Sequence, residues 1–165
     1  MRTFPSCPDL ERMLSMDSLR IDNSLKKIEV NDAGECIEFS VLDNGFFRGF
    51  SELMQWFDGK NTQGNIKDME EQAGKVVSDN GDGINHEALS NVLDIRDKVS
   101  KEACEKIDNI FGVGASKKIF GSIIPDMYSI AEFFEKIAPF IEKYAKERNQ
   151  TINRKYSKGR KGSKS

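Results

Sequence analysis

Histidine and cysteine are scarce in this sequence. There is one His, His86, and three Cys, at positions 7, 36 and 104, in 165 residues. A zinc site needs Cys/His pairs at short spacing, and these positions supply none. A nucleophilic dyad or triad would have to use His86, or else Lys or carboxylates alone, and no residues around a Ser or Cys suggest activation. Three thiols, odd in number and far apart, fit free cysteines in a reducing compartment better than a disulfide frame. Long apolar runs are also missing: no stretch of about 18 apolar residues exists, so no transmembrane helix is expected. The N-terminus has no apolar h-region, so no signal peptide is expected. No internal repeat stands out.

Charge is plentiful. Charged residues make up 32 % and apolar residues 38 %, a globular composition with a heavily charged surface. The formal net charge of −2 hides an asymmetry. The last twelve residues, "RKYSKGRKGSKS", hold six Lys/Arg and no acid, which leaves 19 basic against 27 acidic residues, about −8, elsewhere. The chain therefore reads as an acidic domain over 20–153 with a basic tail over 154–165. The tail is low-complexity and is expected to be disordered. Residues 1–19 carry two prolines and no sustained pattern, so they are expected to form a poorly ordered leader; Met13 or Met16 is an alternative start.

Between these ends the pattern changes period. "KKIEVNDAGECIEFSVLD", 26–43, alternates apolar and polar residues around the turn-forming "NDAG", which predicts a β-hairpin. Each strand would then show one apolar face that something else must cover. "DNGFFRGFSELMQWF", 43–57, switches to helical spacing through Phe46, Phe50, Leu53 and Phe57, with Asp43 or Asn44 as cap and Gly59 as terminator. A weaker helix is expected over 66–79, on Ile66, Met69, Ala73 and Val76/Val77. A long one is expected from Asn85 to about Phe111, on Leu89, Val92/Leu93, Val99, Ala103, Ile107 and Ile110. The last helix follows Pro125-Asp126, with Met127, Ile130, Phe133/Phe134, Ile137, Ile141 and Tyr144 as its stripe. Pro139 lies inside it and should kink or split it. The fold class is α+β, mainly helical: an N-terminal hairpin packed on a helical bundle, with a disordered basic C-terminal tail.

Two motifs raise a ligand question. "FGVGASKKIFG", 111–121, has the glycines and lysines of a phosphate loop. A P-loop needs Gly-Lys-Ser/Thr at a helix start after a strand; here Lys117 follows Ser116, and helix-like residues precede the stretch. A dinucleotide fingerprint needs a third Gly where Lys117 stands. The structural reading fits better. Gly112 ends a helix with positive φ, Gly114 makes the next turn, Ser116 caps a one-turn helix "KKIF", and Gly121 ends it. "SDNGDGINHEAL" resembles an EF-hand loop, but with Asn80 at position 3 the required acids fall on Ser78 and Leu89. A surface turn with an Asn85 cap is expected instead. Glu70/Glu71 and Glu102/Glu105 sit on amphipathic helices as solvated faces. No metal, cofactor or catalytic residue is expected.

"LRIDNSLKKIEVNDAGECIEFSVLDNGFFRGFSELMQWF", followed later by "IDNIFGVGASKKIFGSIIPDMYSIAEFFEKIAPFIEKY", resembles short proteins from the tail-gene modules of siphophages and prophages of Gram-positive bacteria. These are usually described as tail assembly chaperones. The likeness covers roughly 20–57 and 102–156, and its most specific part is "FGVGASKKIFG" with Pro125 and "FFEKIAPFIEKY". The family form has an acid or similar polar residue where Val113 stands and a Thr near Ala115, departures that are conservative for a corner. The middle, 60–85, does not match.

The resemblance implies a non-enzymatic protein of viral morphogenesis in the cytoplasm of the bacterial host. Its partners would be the tape measure protein, tail tube subunits, or both, with self-association also open. Candidate partner-binding residues are Phe46, Phe47, Phe50, Trp56 and Phe57, or Phe133, Phe134, Phe140 and Tyr144; the plainer reading is that each fills the protein's own core. Nucleic acid is a weaker candidate partner, through Arg154, Lys155, Lys158, Arg160, Lys161 and Lys164 by counterion release. Tyr156 is the only aromatic there to stack on a base. A structural virion component and a phage-encoded agent in host defence are further alternatives, and an enzyme is the weakest.

Overall fold

The structure, a computed structural model, describes residues 17–21, 23–77 and 83–160. Strand β1 (Leu25–Glu29) pairs antiparallel with β2 (Cys36–Ser40), Leu25 opposite Ser40 and Glu29 opposite Cys36. The expected turn forms because Asn31 can imitate backbone. Its Oδ1 accepts from the N–H groups of Ala33 and Glu35, and Gly34 supplies φ 77°. Alternation then puts Ile37, Phe39 and Val41 inside.

Helix α1 (Asn44–Phe57) starts where Asp43 accepts the N–H of Gly45 at 2.7 Å. It buries Phe46 and Leu53. Phe46 stacks on Phe39 with ring centroids 4.3 Å apart, and Phe111 meets both rings edge-on. Three elements are thus joined by one aromatic cluster.

Helix α2 (Lys60–Gly74) departs from the expected 66–79 at both ends. "KNTQGN" has no apolar period, yet it is helical because tertiary contacts hold it: Thr62 is buried, and Gln63 Nε2 donates to the Phe57 carbonyl at 2.9 Å. Gly59 does not simply end α1. It is the cap of α2, seated so tightly that a Cβ would lie 3.1 Å from the carbonyl oxygens of Gln55 and Trp56. Val76 and Val77 fall outside the helix; Val77 forms an isolated bridge with Ile84, and Asn85 N–H donates to Val76 O.

Helix α3 (His86–Phe111) begins at Asn85, whose Oδ1 accepts from Ala88 N–H. Its C-terminal half carries most of the core: Val99, Ser100, Ala103, Ile107 and Phe111 are buried. The expected stripe is weaker in the first half, where Leu93 is exposed. The corner follows, with Gly112 at φ 101° and Gly114 at φ 85°, then α4 (Ala115–Phe120), closed by Gly121 at φ 77°. Ser116 does not cap α4. It lies inside the helix and is buried, and its N–H donates to Asp108 Oδ1 of α3 at 2.7 Å.

Helix α5 (Met127–Arg160) opens with Asp126, whose carboxylate accepts from Ser129 N–H. Met127, Ile130, Phe133, Phe134, Ile137 and Ile141 bury against α3, α1 and the hairpin. Pro139 does not split the helix: α5 runs through it as one element of 34 residues, about 50 Å at 1.5 Å per residue. Both Pro139 and Glu135, whose carbonyl loses its usual donor, are exposed. Water can then replace the missing bond.

The ends differ from expectation where they are described. Residues 154–160 are helical rather than disordered, because Lys and Arg are good helix formers and positive charge suits a helix C-terminus. Residues 161–165 and most of the expected leader, 1–16, lie outside the described residues, as do Ser78 and Asn80 of the EF-hand-like stretch. Residues 17–19 have no regular structure and are exposed.

Candidate partner-binding groove

Where the hairpin crosses α5, the fit is incomplete. At one end of β1, Lys26 forms an ion pair with Glu147 at 3.1 Å, and its ammonium lies 4.9 Å from the centre of the Tyr144 ring. Toward the other end β1 and α5 part, and a groove of about 430 Å³ opens. Ile28 and Val30 of the hairpin, Ile119 and Phe120 of α4, Phe133, Ile137 and Phe140 of α5, and Ile123 and Pro125 of the connection between those helices line it. The charged groups that line it are Glu29 and the Glu132–Lys136 pair, whose ions are 2.6 Å apart. Ile123 is 71 % exposed and Phe140 42 %. Apolar side chains left in water beside an apolar groove favour a second apolar surface over them.

The corner holds this groove in place. Lys118 of α4 reaches the Cys36 carbonyl, and Asn31 of the turn donates to the Lys118 carbonyl, at 3.2 and 3.0 Å. From the other side, Ser100 Oγ donates to Pro125 O at 2.6 Å and Arg96 to Ile124 O at 3.2 Å. Gly112, Gly114 and Gly121 make these reversals with φ values that a residue with a Cβ resists.

The nine aromatics expected at a partner surface separate into three groups. Phe46 and Phe134 are buried in the core and do not line the groove, a correction to that expectation, while Phe133 is largely buried but lines the groove. Their burial follows from the crossing of α1, α3 and α5, which periodicity alone does not place. Phe47, Phe50, Trp56, Phe57 and Tyr144 are half-buried against the core. Several have a cation over the ring: Lys106 over Trp56, Arg148 over Phe47, and both Lys26 and Lys143 over Tyr144. Phe140 alone of the nine is exposed, and it lies in the groove. Ile28, Val30 and Ile123 were not expected at a partner surface. The signal for Ile123 was present: "GSIIPD" places two isoleucines in a connection with no periodic stripe.

Among the basic candidates, Arg154 and Lys155 are exposed on the last turns of α5, and Lys158 and Arg160 lie on the same helix. Lys161 and Lys164 fall outside the described residues. Elsewhere, Cys36 and Cys104 are free thiols, and burial pushes the Cys104 thiol up, partly offset by a hydrogen bond with Ser116. That environment opposes thiolate chemistry. Among the described residues, no His/Cys/Asp/Glu cluster could hold a metal ion. No helix among them is long and apolar enough to cross a membrane.

Fold and groove define a mainly helical α+β protein with an apolar cleft between a hairpin and its longest helix. The chain belongs to a family of unknown function, DUF6673, whose model matches residues 33–165. No curated protein and no solved structure matches it.

Proposed function

We propose that this chain is a non-enzymatic, tail assembly chaperone-like protein of phage or prophage, working in the cytoplasm of the bacterial host. It holds an apolar stripe of the tape measure protein until tail tube subunits polymerise around that partner. The observation that supports this reading is the groove itself, lined mostly by apolar side chains, the exposed Ile123 and Phe140 among them. A tape measure protein presents helical stripes with no core to bury them, and such a stripe matches this cleft. Burying one large apolar side chain is worth about 1.5–3 kcal/mol. A groove with two exposed anchors therefore gives reversible capture, as release to the tube subunits requires.

The test is co-expression with the tape measure protein encoded nearby, then size-exclusion chromatography. The tape measure is expected to become soluble and co-elute. Phe140→Asp should abolish co-elution while far-UV circular dichroism stays unchanged. A tape measure that remains insoluble while this chain elutes alone sinks the reading.

A second reading rests on the basic end of α5. Arg154 and Lys155 stand exposed on a helix with no acid after Glu147, which suits binding to a phosphate backbone. It predicts nucleic-acid affinity that falls steeply with salt.

A further inference from the structure

Strand β1 is bonded on one side and bare on the other. Val30 N–H donates to Glu35 O at 2.9 Å, and Val41 N–H to Ser24 O at 3.4 Å. Bonded pairs alternate along an antiparallel ladder. In the observed register the bonded pairs between these two are therefore Lys26 with Phe39 and Ile28 with Ile37. The N–H and C=O groups of Leu25, Lys27 and Glu29 must point away from β2. The sheet has two strands, and among the described residues no other element bonds to that edge. The far edge of β2 is different, since Lys118 Nζ occupies the Cys36 carbonyl there. A bare edge bordering an apolar groove is a template for another strand.

The side chains of β1 indicate which strand. Lys27 and Glu29 lie on the solvent face with opposite charges, and Ile28 between them turns to the core side. Lys27 is held by Glu38 across the hairpin, while Glu29 has no cation beside it among the described residues. A strand added at this edge should therefore place a cation opposite Glu29 and an anion opposite Lys27, with an apolar residue between. The sequence Lys27-Ile28-Glu29, run antiparallel, is such a strand.

We propose that two copies of this chain pair through β1 about a two-fold axis to form a four-stranded antiparallel sheet. Lys27 lies opposite the partner's Glu29, and Ile28 opposite the partner's Ile28. The competing symmetric registers set Lys27 against Lys27 or Glu29 against Glu29, like charges directly opposite, which are disfavoured. A two-fold contact satisfies both bare edges and both unpaired glutamates at once, and it closes rather than growing into a fibre. The partner strand covers the rim of the groove, so a second copy and a tape measure segment exclude each other there. The pairing itself stands on β1 alone and is tested without any tape measure protein.

The experiment is sedimentation equilibrium of the full chain over a concentration series. The mass should rise toward twice the 18.7 kDa of one chain. Glu29→Lys, at an exposed position, sets two lysines face to face and should weaken association about tenfold or more. Adding Lys27→Glu to it restores opposite charges across the axis and should recover the dimer. Lys27→Pro removes an outward N–H without touching a bond to β2, and should leave monomer with an unchanged helical spectrum. A wild-type chain that stays monomeric throughout overturns the proposal. So does a dimer that is indifferent to both Glu29→Lys and Lys27→Pro.

Discussion

Asp108 carries a structural task that its neighbours cannot. Gly114, the cap position of α4, has no side chain to satisfy the first N–H groups of that helix. Asp108 reaches back from the last turn of α3 and accepts the Ser116 N–H instead. Replacing it with Ala leaves a partly buried donor open, so Asp108→Ala should cost about 1–2 kcal/mol in urea denaturation, with Asn losing less. In the same assay Gly112→Val should cost about 1 kcal/mol or more. A Cβ there meets no atom within 4 Å, so the penalty comes from backbone at φ 101°. Asp126 offers a pH test. Hydrogen bonds from Ser129 hold its carboxyl below the usual aspartate range. Its contribution is therefore present above the ordinary aspartate pKa and is lost as pH falls through the lower folded value. Asp126→Asn should lower Tm at neutral pH, where the carboxylate contributes, change it little below the folded pKa, and so flatten the dependence of Tm on pH in that acid window. The sequence suggested a glycine corner at 112–121, but not the Asp108 contact: an acid eight residues from the N–H it accepts looks like any other charge on a helix face.

The elements that could be read from sequence are those with an apolar period of their own. The hairpin alternates, α3 and α5 repeat at helical spacing, and Asp43, Asn85 and Asp126 mark helix starts in the usual way. The start of α2 could not be read, because its first residues are polar and are held by Thr62 burial and the Gln63 bond to Phe57 O, both tertiary effects. The groove was legible only in part. Phe140 was named among nine aromatics, but which of them stays outside depends on how β1 crosses α5. Pro139 gives a test at this scale. It interrupts one hydrogen bond of α5 on an exposed face. Pro139→Ala should restore the bond to the Glu135 carbonyl. It should stabilise the chain by about 1–3 kcal/mol, seen as a higher urea midpoint at constant m.

Over the whole molecule, the basic end of α5 lies apart from the buried core. The buried cluster runs from Ile37 to Ile141, and the residues of α5 from 153 to 157 are all exposed. The basic end of α5 thus extends past the last buried turn with Arg154, Lys155, Lys158 and Arg160, and the sequence from 154 to 165 adds six cations in all to a body of about −8. Removing residues 154–165 takes away no core contact among the described residues. It should shift the melting temperature by no more than about 2 °C, since fraying helix ends contribute little. The same deletion should separate the two surfaces. Binding at the groove depends on Ile123 and Phe140 and should survive in the truncated chain. Any affinity for a duplex oligonucleotide depends on the cations and should disappear. Fluorescence anisotropy at two salt concentrations, with full-length and truncated chains, reads this directly. If the truncated chain still bound the duplex as tightly, the basic end would not be the nucleic-acid surface, and the second reading of its function would fail while the groove kept its role.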